Sequence, residues 1–295
     1  MPADALGLEA TAWRDRGRHV DLLGEPVFVV DVPAKAEERP PLLVIHGFPT
    51  SSIDYAGVVD ALAARRRVVL LDLPGFGFSA KPDRPYTMAG QADVVVALTE
   101  ALGLERFALL THDMGDTVGG ELLARQAEGG WPVEITTRVV TNGSIYIGMA
   151  HLTEGQQILL SLPDEQLPEG VGSDPSRLAA ALVATLAPGH ADVDMLPHAE
   201  AACFDGGARL MPRLVRYIEE RRTTERRYTG AIETHPSPLH VVWGPEDPIA
   251  VRAMPEHLVS VRPDATLTWL DGAGHYPQLE VPDAWLAAVL TALDG

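Results

Sequence analysis

Residues 106 to 125 are Arg106-Phe107-Ala108-Leu109-Leu110-Thr111-His112-Asp113-Met114-Gly115-Asp116-Thr117-Val118-Gly119-Gly120-Glu121-Leu122-Leu123-Ala124-Arg125. The part that ends at His112 is mostly apolar and predicts a buried strand. Asp113-Met114-Gly115 then predicts a tight corner, and the residues from Asp116 onward predict a helix. A strand, a sharp turn with a small residue after it, and a helix together present a nucleophile above the end of a sheet.

Asp113 occupies the corner of this arrangement, where no serine competes for the place. One interpretation is a helix N-cap, for which aspartate is a favoured residue. The other is a nucleophile, because the N–H groups of a helix N-terminus favour an ionised carboxylate, which attacks electrophilic carbon. Asp113 taken alone supports both interpretations equally. The second implies a covalent alkyl-ester intermediate.

Alternating strands and helices extend outward from this stretch. Buried strands are predicted at residues 41–45, 67–71, 137–141, 238–243 and 267–270, after a two-strand entry at 19–23 and 27–32. This alternation predicts an α/β fold with a mostly parallel eight-stranded sheet and helices on both faces. Between residues 144 and 233 the strands stop and helices are predicted, most clearly at 178–186 and 210–222. We therefore predict a core in two parts, 1–143 and 234–295, and an inserted helical cap, 144–233, over the strand ends.

Three other predicted strands are also followed by motifs. His46-Gly47-Phe48-Pro49 would let the backbone turn inward, so that the N–H groups of Phe48 and Met114 form an oxyanion hole. Asp247 lies in Trp243-Gly244-Pro245-Glu246-Asp247-Pro248 and would orient a histidine. His275 lies in Gly272-Ala273-Gly274-His275-Tyr276-Pro277 and would activate water. Ordinary loops and turns are the alternative interpretation of each motif.

Composition excludes several partners. The 295 residues are 46% hydrophobic and carry a net charge of −18, with a pI near 4.8. Phosphate binding needs clustered Lys and Arg, so nucleic acid and anionic membranes are not expected. No run of about 18 apolar residues is present to span a bilayer. Met1 to Ala5 do not resemble the start of a secretion signal. The single Cys203 is expected to be a buried hydrophobe in a reducing, cytoplasmic setting.

No cofactor or metal is expected, because neither a zinc-like ligand spacing nor a Gly-x-x-x-x-Gly-Lys phosphate loop occurs. The expected partners are a small apolar substrate and water, and the protein could be a monomer or a homodimer.

Six arginines lie close together in one predicted helical region. A solvated amphipathic helix paired with neighbouring glutamates is favoured, and contact with substrate or core is the alternative. These are Arg213, Arg216, Arg221, Arg222, Arg226 and Arg227.

These residues resemble the α/β-hydrolase superfamily, and specifically its aspartate-nucleophile branch, which includes epoxide hydrolases and haloalkane dehalogenases. The resemblance covers nearly the whole chain and is loosest at residues 144–208. Residues 46–52, 216–218 with 226–231, and 275–280 are similar to the mesoderm-specific-transcript group of that branch. The resemblance implies the α/β-hydrolase fold and a triad in the order Asp113, Asp247, His275. It also implies a two-step reaction, in which Asp113 forms an ester and water activated by His275 hydrolyses it. The substrate stays open.

The possible activities differ in the group that leaves the substrate when Asp113 attacks. Haloalkane dehalogenases typically have a tryptophan after the nucleophile and often an asparagine after His-Gly, whereas Met114 and Phe48 stand here without side-chain donors. Fluoroacetate-type dehalogenases need cations near the nucleophile, and Asp116 would repel an anion.

An epoxide instead needs an acid for its ring oxygen. Tyr217 lies at a spacing from Asp247 similar to that of the ring-opening tyrosine of epoxide hydrolases. Tyr146 and Tyr228 are candidates for a second donor. Interface packing is the alternative for each tyrosine and is favoured for Tyr146 and Tyr228.

We therefore expect hydrolysis of an epoxide to a diol. One alternative is a haloalkane dehalogenase-like hydrolase with an unusual halide donor such as Trp243. Another is a non-catalytic binding or signalling protein of the same fold. A serine esterase is disfavoured, because the chain contains no Gly-x-Ser-x-Gly elbow.

Overall fold

The computed structural model describes residues 6–36 and 39–295. Met1 to Ala5, on which the expectation about a secretion signal rests, lie outside the described residues. Within the described part, eight strands form one sheet. They are β1 (Arg18–Leu22), β2 (Glu25–Val32), β3 (Leu42–Ile45), β4 (Val68–Leu71), β5 (Arg106–His112), β6 (Glu134–Thr141), β7 (Leu239–Trp243) and β8 (Thr266–Trp269).

The sheet confirms the predicted α/β-hydrolase fold. Its strand order is β1-β2-β4-β3-β5-β6-β7-β8, with β2 antiparallel to β1 and β4 and all later neighbours parallel. Strands β3 and β4 are buried along their whole length, as continuous runs of Leu, Val and Ile require when both faces are covered. The parallel strands therefore end at one edge of the sheet, where the four motifs follow β3, β5, β7 and β8.

Helices cover both faces of this sheet. The chain outside the inserted segment contributes α1 (Leu8–Arg16), α2 (Val59–Leu62), α3 (Met88–Ala101), α4 (Met114–Ala127), α10 (Ala253–Val261), α11 (Pro277–Glu280) and α12 (Pro282–Asp294), with a 3₁₀ turn at Ser52–Tyr55. Successive residues of β3 point to opposite cores. Leu43 and Ile45 pack with α3 and α4, whereas Leu42 and Val44 pack with α1 and α12.

Residues 144–233, called the insertion below, contain helices and loops but no strand. They hold α5 (Glu154–Ser161), α6 (Pro175–Val183), α7 (Leu196–Cys203), α8 (Met211–Leu214), nearly all of α9 (Tyr217–Thr234), and 3₁₀ turns at Ile147–Met149 and Phe204–Leu210. In the described residues, no helix is long and apolar enough to cross a membrane. The division of the chain at 144 and 233 stays a prediction.

Helix α9 extends beyond the end at residue 222 that the sequence predicted. Its second half packs along α4, where a side chain on Gly120 would lie 2.7 Å from the backbone of Tyr228. The charged residues after Arg222 suggested an end, but Tyr228, Thr229 and Ile232 are buried in this contact. Tertiary packing therefore prolongs a helix that local composition does not favour.

Candidate active site

The corner between β5 and α4 holds Asp113 in a rare conformation. Its φ is 50° and its ψ is −118°, and non-glycine residues reach positive φ only when the surrounding structure imposes it. The Asp113 side chain makes no capping hydrogen bond to α4. The N-cap interpretation therefore does not explain this carboxylate.

Two glycines allow the strands to close around Asp113. A Cβ on Gly47 would lie 2.5 Å from Cβ of Asp113, and one on Gly115 would lie 2.5 Å from the carbonyl oxygen of Ile45. Such distances are far shorter than ordinary contacts between carbon or oxygen atoms. Glycine at both positions lets the turn after β3 approach the corner after β5.

The backbone N–H of Phe48 donates to Oδ2 of Asp113 at 2.8 Å. Met114 is the first residue of α4, so its N–H has no acceptor within the helix. The two N–H groups proposed as an oxyanion hole thus stand on the two backbone segments that meet at Asp113.

His275 and Asp247 are brought to the same carboxylate. Nδ1 of His275 lies 2.9 Å from Oδ2 of Asp247, and Nε2 lies 4.0 Å from Oδ1 of Asp113. The second distance is too long for a direct hydrogen bond. It leaves Nε2 available to a water molecule between the histidine and Asp113.

Electrostatics favour a charged His275 in this state. Burial alone would lower its pKa, but Asp247, with smaller contributions from Asp113 and Glu280, raises the pKa of His275 to about 9. Burial raises the pKa of Asp247, yet His275 and the hydrogen bonds it accepts keep that pKa below its ordinary value. The pair therefore rests as imidazolium and carboxylate at neutral pH.

Asn142 has a place at the site that sequence reasoning missed. Its Nδ2 donates to Oδ2 of Asp247 at 2.9 Å and to the carbonyl oxygen of Gly274 at 3.0 Å. Its Oδ1 accepts from the N–H of Gly244 at 3.0 Å. The signal available was its position at the end of β6, the strand between β5 and β7.

Glu280 was missed as well. Its Oε2 accepts from the N–H groups of Gly274 and Ala187, and its Oε1 accepts from the N–H of Tyr276. The carboxylate therefore holds the backbone on both sides of His275 and ties that loop to the insertion.

A cavity of about 480 Å³ opens beside these residues. Phe48, Ile249, His275 and Tyr276 line it from the core. Asp113 is not among the lining residues and lies behind Phe48 and His275. The insertion supplies most of the rest of the wall, which is largely apolar and includes Gln156, Leu159, Leu178, Leu182, Ala208 and Met211.

The three tyrosine candidates have different surroundings. Tyr217 is buried, its ring lies 5.7 Å from that of Phe48, and the Asp113 carboxylate is close enough to raise its pKa, although burial raises it more. The Tyr146 hydroxyl donates to Glu233 at 3.1 Å, and the Tyr228 hydroxyl donates to Glu220 at 2.7 Å. None of these three tyrosines is among the residues that line the cavity. Only Tyr217 is brought to Asp113.

Trp243 does not face the cavity, contrary to its suggested role as a halide donor. Its Nε1 donates to the carbonyl oxygen of Ala250 at 2.9 Å, and the side chain is buried. No tryptophan of the described residues lines the cavity.

Asp116 also departs from expectation. Its Oδ1 accepts from the Thr111 hydroxyl, and burial raises the pKa of the Asp116 carboxyl well above its ordinary value. Burial therefore disfavours the charged form of Asp116 and weakens the repulsion against an anion that the sequence suggested.

Several of the crowded arginines contact the core, as Arg213 does at Asp83 and Arg227 at Glu121, and Arg221 is the most deeply buried of them. It is buried, donates to the Thr117 hydroxyl at 2.9 Å, and lies 5.1 Å from the centre of the Tyr217 ring. The solvated-helix interpretation fails for this residue. It suits Arg226, whose guanidinium is exposed and pairs with Glu233.

In the described residues, no group of three or more His, Cys, Asp or Glu could hold a metal ion.

Comparison with known proteins identifies the family of the chain. The model of the alpha/beta hydrolase family matches residues 42–289. A Mycobacterium tuberculosis protein whose name describes it as a hydrolase, LipZ, is 34% identical over 95% of this chain and 96% of its own. The human mesoderm-specific transcript homolog protein is 33% identical over 98% of this chain and 89% of its own. The structure of the haloalkane dehalogenase DbeA of Bradyrhizobium elkani matches with a TM-score of 0.75, at 21% identity over 95% of this chain and 97% of the DbeA chain.

Proposed function

The chain belongs to the alpha/beta hydrolase family, and we propose that it hydrolyses an epoxide to a diol through an ester on Asp113. One observation carries the proposal. Asp113 stands at the elbow with an N–H donor on one oxygen, the His275–Asp247 pair beside the other, and the Tyr217 hydroxyl nearby. These groups match the nucleophile, the base and the acid that opening and hydrolysis of an epoxide require.

In the first step, Oδ1 of Asp113 attacks a ring carbon and the carbon–oxygen bond of the epoxide breaks. The ring oxygen takes the proton of the Tyr217 hydroxyl, which becomes a phenolate. Oδ2 keeps its hydrogen bond from Phe48, which turns Oδ1 toward the substrate. The product of this step is a hydroxyalkyl ester of Asp113.

In the second step, His275 has first lost the proton that it carries at rest. Its Nε2 removes a proton from water, and the hydroxide adds to the Asp113 carboxyl carbon. The N–H groups of Phe48 and Met114 stabilise the oxyanion. As the carbon–oxygen bond to the diol breaks, the departing alkoxide takes the proton from His275. The Asp113 carboxyl then loses the proton of the added hydroxide, and Tyr217 and His275 regain the protons that they lost earlier. The 4.0 Å between Nε2 and Oδ1 suits a bridging water better than direct contact.

Halide displacement has less support. The lining residues offer no tryptophan, and the Trp243 indole N–H is already bonded to Ala250. Tyr217 supplies a proton, which an epoxide oxygen needs and a halide does not.

The test is to trap the ester. A His275→Ala variant, which lacks the base, is incubated with terminal alkyl epoxides and with haloalkanes of matched length, and the intact protein mass is followed. We expect a gain equal to a whole epoxide, and none when Asp113→Ala is added to the same variant. His240→Ala, on β7 where the ring contacts the Thr266 hydroxyl, serves as the matched control and should retain turnover without a persistent adduct.

Two results would contradict the proposal. A gain equal to a haloalkane less its halide, without an epoxide adduct, would assign dehalogenation. An epoxide adduct that survives Asp113→Ala would assign the nucleophile elsewhere.

A further inference from the structure

His112 is a buried histidine beside the nucleophile that the two-step reaction does not use. It ends β5 and directly precedes Asp113, and its side chain is buried. Its Nε2 lies 2.8 Å from the carbonyl oxygen of His275, a residue 163 positions later in the chain. The centre of the His112 ring lies 5.2 Å from that of His275 and 5.4 Å from that of Tyr276. The side chain before the nucleophile therefore contacts both the backbone and the ring of the base.

These contacts place the proton of His112. A carbonyl oxygen only accepts hydrogen bonds, so Nε2 must carry the hydrogen and donate it. Nδ1 is buried and has no hydrogen-bond partner among the described residues. A second proton at Nδ1 would form an unsatisfied N–H, and burial, together with the nearby charge of His275, lowers the pKa of His112. His112 is consequently a neutral imidazole with one fixed tautomer.

The sheet alone does not bring His275 to Asp113. Strands β6 and β7 lie between β5 and β8, so within the described sheet no backbone ladder joins the strand before the nucleophile to the strand before the base. The hydrogen bond from His112 to His275 joins these two strand ends directly. Because His112 and Asp113 are consecutive residues, this bond relates the backbone of the base to the backbone of the nucleophile.

His112 also completes the support of the His275 backbone. The N–H of His275 donates to the carbonyl oxygen of Thr185 at 3.2 Å. Asn142 donates to the preceding carbonyl, that of Gly274, at 3.0 Å. The carbonyl of His275 itself accepts from His112. The peptide groups on both sides of the base therefore have fixed partners, and the partner on the side that follows His275 is the residue next to the nucleophile.

We propose that His112 is a positioning residue that holds the His275 loop against the strand end carrying Asp113. It donates one hydrogen bond to the carbonyl of His275 and touches no reacting atom. The inference rests on the proposed function, in which only ester hydrolysis needs His275 as a base. Loss of this hydrogen bond should therefore slow hydrolysis of the ester and spare its formation.

The test measures the two steps separately in His112→Phe. Phenylalanine keeps a planar ring in the buried site but has no N–H, so the carbonyl of His275 loses its donor. Rapid-quench measurements of intact mass with a terminal alkyl epoxide follow the rise and the decay of the adduct on Asp113. We expect the decay to slow by about fivefold to fiftyfold, and the rise to stay within about twofold of wild type.

His112→Gln is the rescue variant. Glutamine carries its NH₂ group about as far from the backbone as histidine carries Nε2, and an amide NH₂ donates hydrogen bonds. We expect the decay of the ester to return to within about threefold of wild type. A residue that only fills space would be replaced better by phenylalanine than by glutamine, so the order of the two variants distinguishes a donor from a packing residue.

His235→Phe is the matched control. His235 is also buried, and its Nε2 hydrogen bonds to Oε1 of Gln126, at the end of α4 far from Asp113. The substitution removes the same ring nitrogens away from the site, so we expect both steps to keep their wild-type rates. Thermal unfolding of every variant checks that it is folded.

A measurement without substrate tests the hydrogen bond itself. Nitrogen-15 NMR of the imidazoles at about pH 7.5 should show His112 protonated at Nε2 and not at Nδ1. The Nδ1–H tautomer cannot donate to the carbonyl of His275. Its observation would overturn the inference whatever the substrate of the enzyme.

The kinetic outcomes separate the two proposals. If wild type takes up no epoxide, the proposed function fails, and the kinetic role of His112 fails with it. If wild type forms and hydrolyses the ester and His112→Phe does so at the same rates, only the inference is overturned. Equal losses in the two steps, a deficit that glutamine does not reduce, or the same deficit in His235→Phe would also overturn it.

Discussion

The loops at the sheet edge and the insertion hold their site residues in different ways. At the sheet edge, Asp247 accepts hydrogen bonds from the N–H groups of Ile249 and Ala250, from Asn142 and from His275. In the insertion, Tyr217 packs against the ring of Phe48 and the guanidinium of Arg221, and most of the cavity wall is apolar. The sheet edge therefore fixes the chemical groups through backbone geometry. Under the proposed function, the insertion selects the leaving group and the substrate through a few side chains that can change independently.

Helix α9 links the two regions. Tyr217 is its first residue, whereas Arg227 farther along donates to Glu121 and Glu128 on and just after α4. Between them, Arg221 reaches Thr117 in the first turns of α4. Tyr217 is consequently held in register with the helix that begins at the nucleophile, although it belongs to the more adaptable region.

The largest expected effect lies at the sheet edge. Asp113→Ala should abolish the ester and reduce epoxide turnover by at least about 10⁴-fold, because no other group can form the covalent bond. Asp116→Asn is the matched comparison, since burial raises the pKa of the Asp116 carboxyl and the amide has nearly the same shape. We expect that variant to stay within about tenfold of wild type in steady-state turnover. Comparable losses of turnover in both variants would contradict the role of Asp113 as the nucleophile.

The second largest effect is expected for Tyr217, in the insertion. Tyr217→Phe should slow ring opening by about 10²- to 10³-fold in single-turnover measurements, because the ring oxygen would leave without a proton. Tyr228→Phe removes a hydroxyl that donates to Glu220 outside the cavity, so its ring-opening rate should match wild type. Equal losses in the two variants would assign Tyr217 a packing role.

Asn142→Ala should have an effect of intermediate size, at the sheet edge. It removes a donor from Asp247 and from the carbonyl of Gly274 next to His275. A hydrogen bond to a charged group contributes about 1.5–3 kcal/mol, so hydrolysis of the ester should slow by about tenfold to a hundredfold. Ester formation should keep its rate, because Phe48 still holds Asp113. Rapid-quench mass measurements separate the two steps, and a loss confined to ester formation would contradict this role.

The two regions also differed in how far the sequence could predict them. The sheet, its parallel order and the residues at the strand ends follow from continuous apolar runs with Gly-rich corners, which are local signals. The meeting of Asp113, Asp247 and His275 follows from the same edge, because parallel strands end together.

The insertion could not be predicted to the same depth. That the Tyr217 ring packs on Phe48, whereas the Tyr146 hydroxyl donates to Glu233, depends on contacts between segments far apart in sequence. The buried Arg221 looked like any other arginine in a charged run, and the length of α9 depends on its contact with Gly120. Asn142 and Glu280 were missed because their importance lies in hydrogen bonds to backbone, which leave no sequence pattern.

The smallest expected effect concerns pH. In the resting protein the pKa of His275 is raised to about 9, and the negative charge of Asp113 is one of the causes. Ester formation removes that charge, so the pKa of His275 in the ester must fall below its resting value. The base form then grows as pH rises through the lower value, and ester hydrolysis should reach half its maximum below pH 9. Histidine NMR of the resting protein should give a midpoint near 9 for the same ring. Midpoints that coincide, or a higher one for the ester, would mean that the Asp113 charge does not govern His275, and the sheet edge would then set its own proton affinity without the nucleophile.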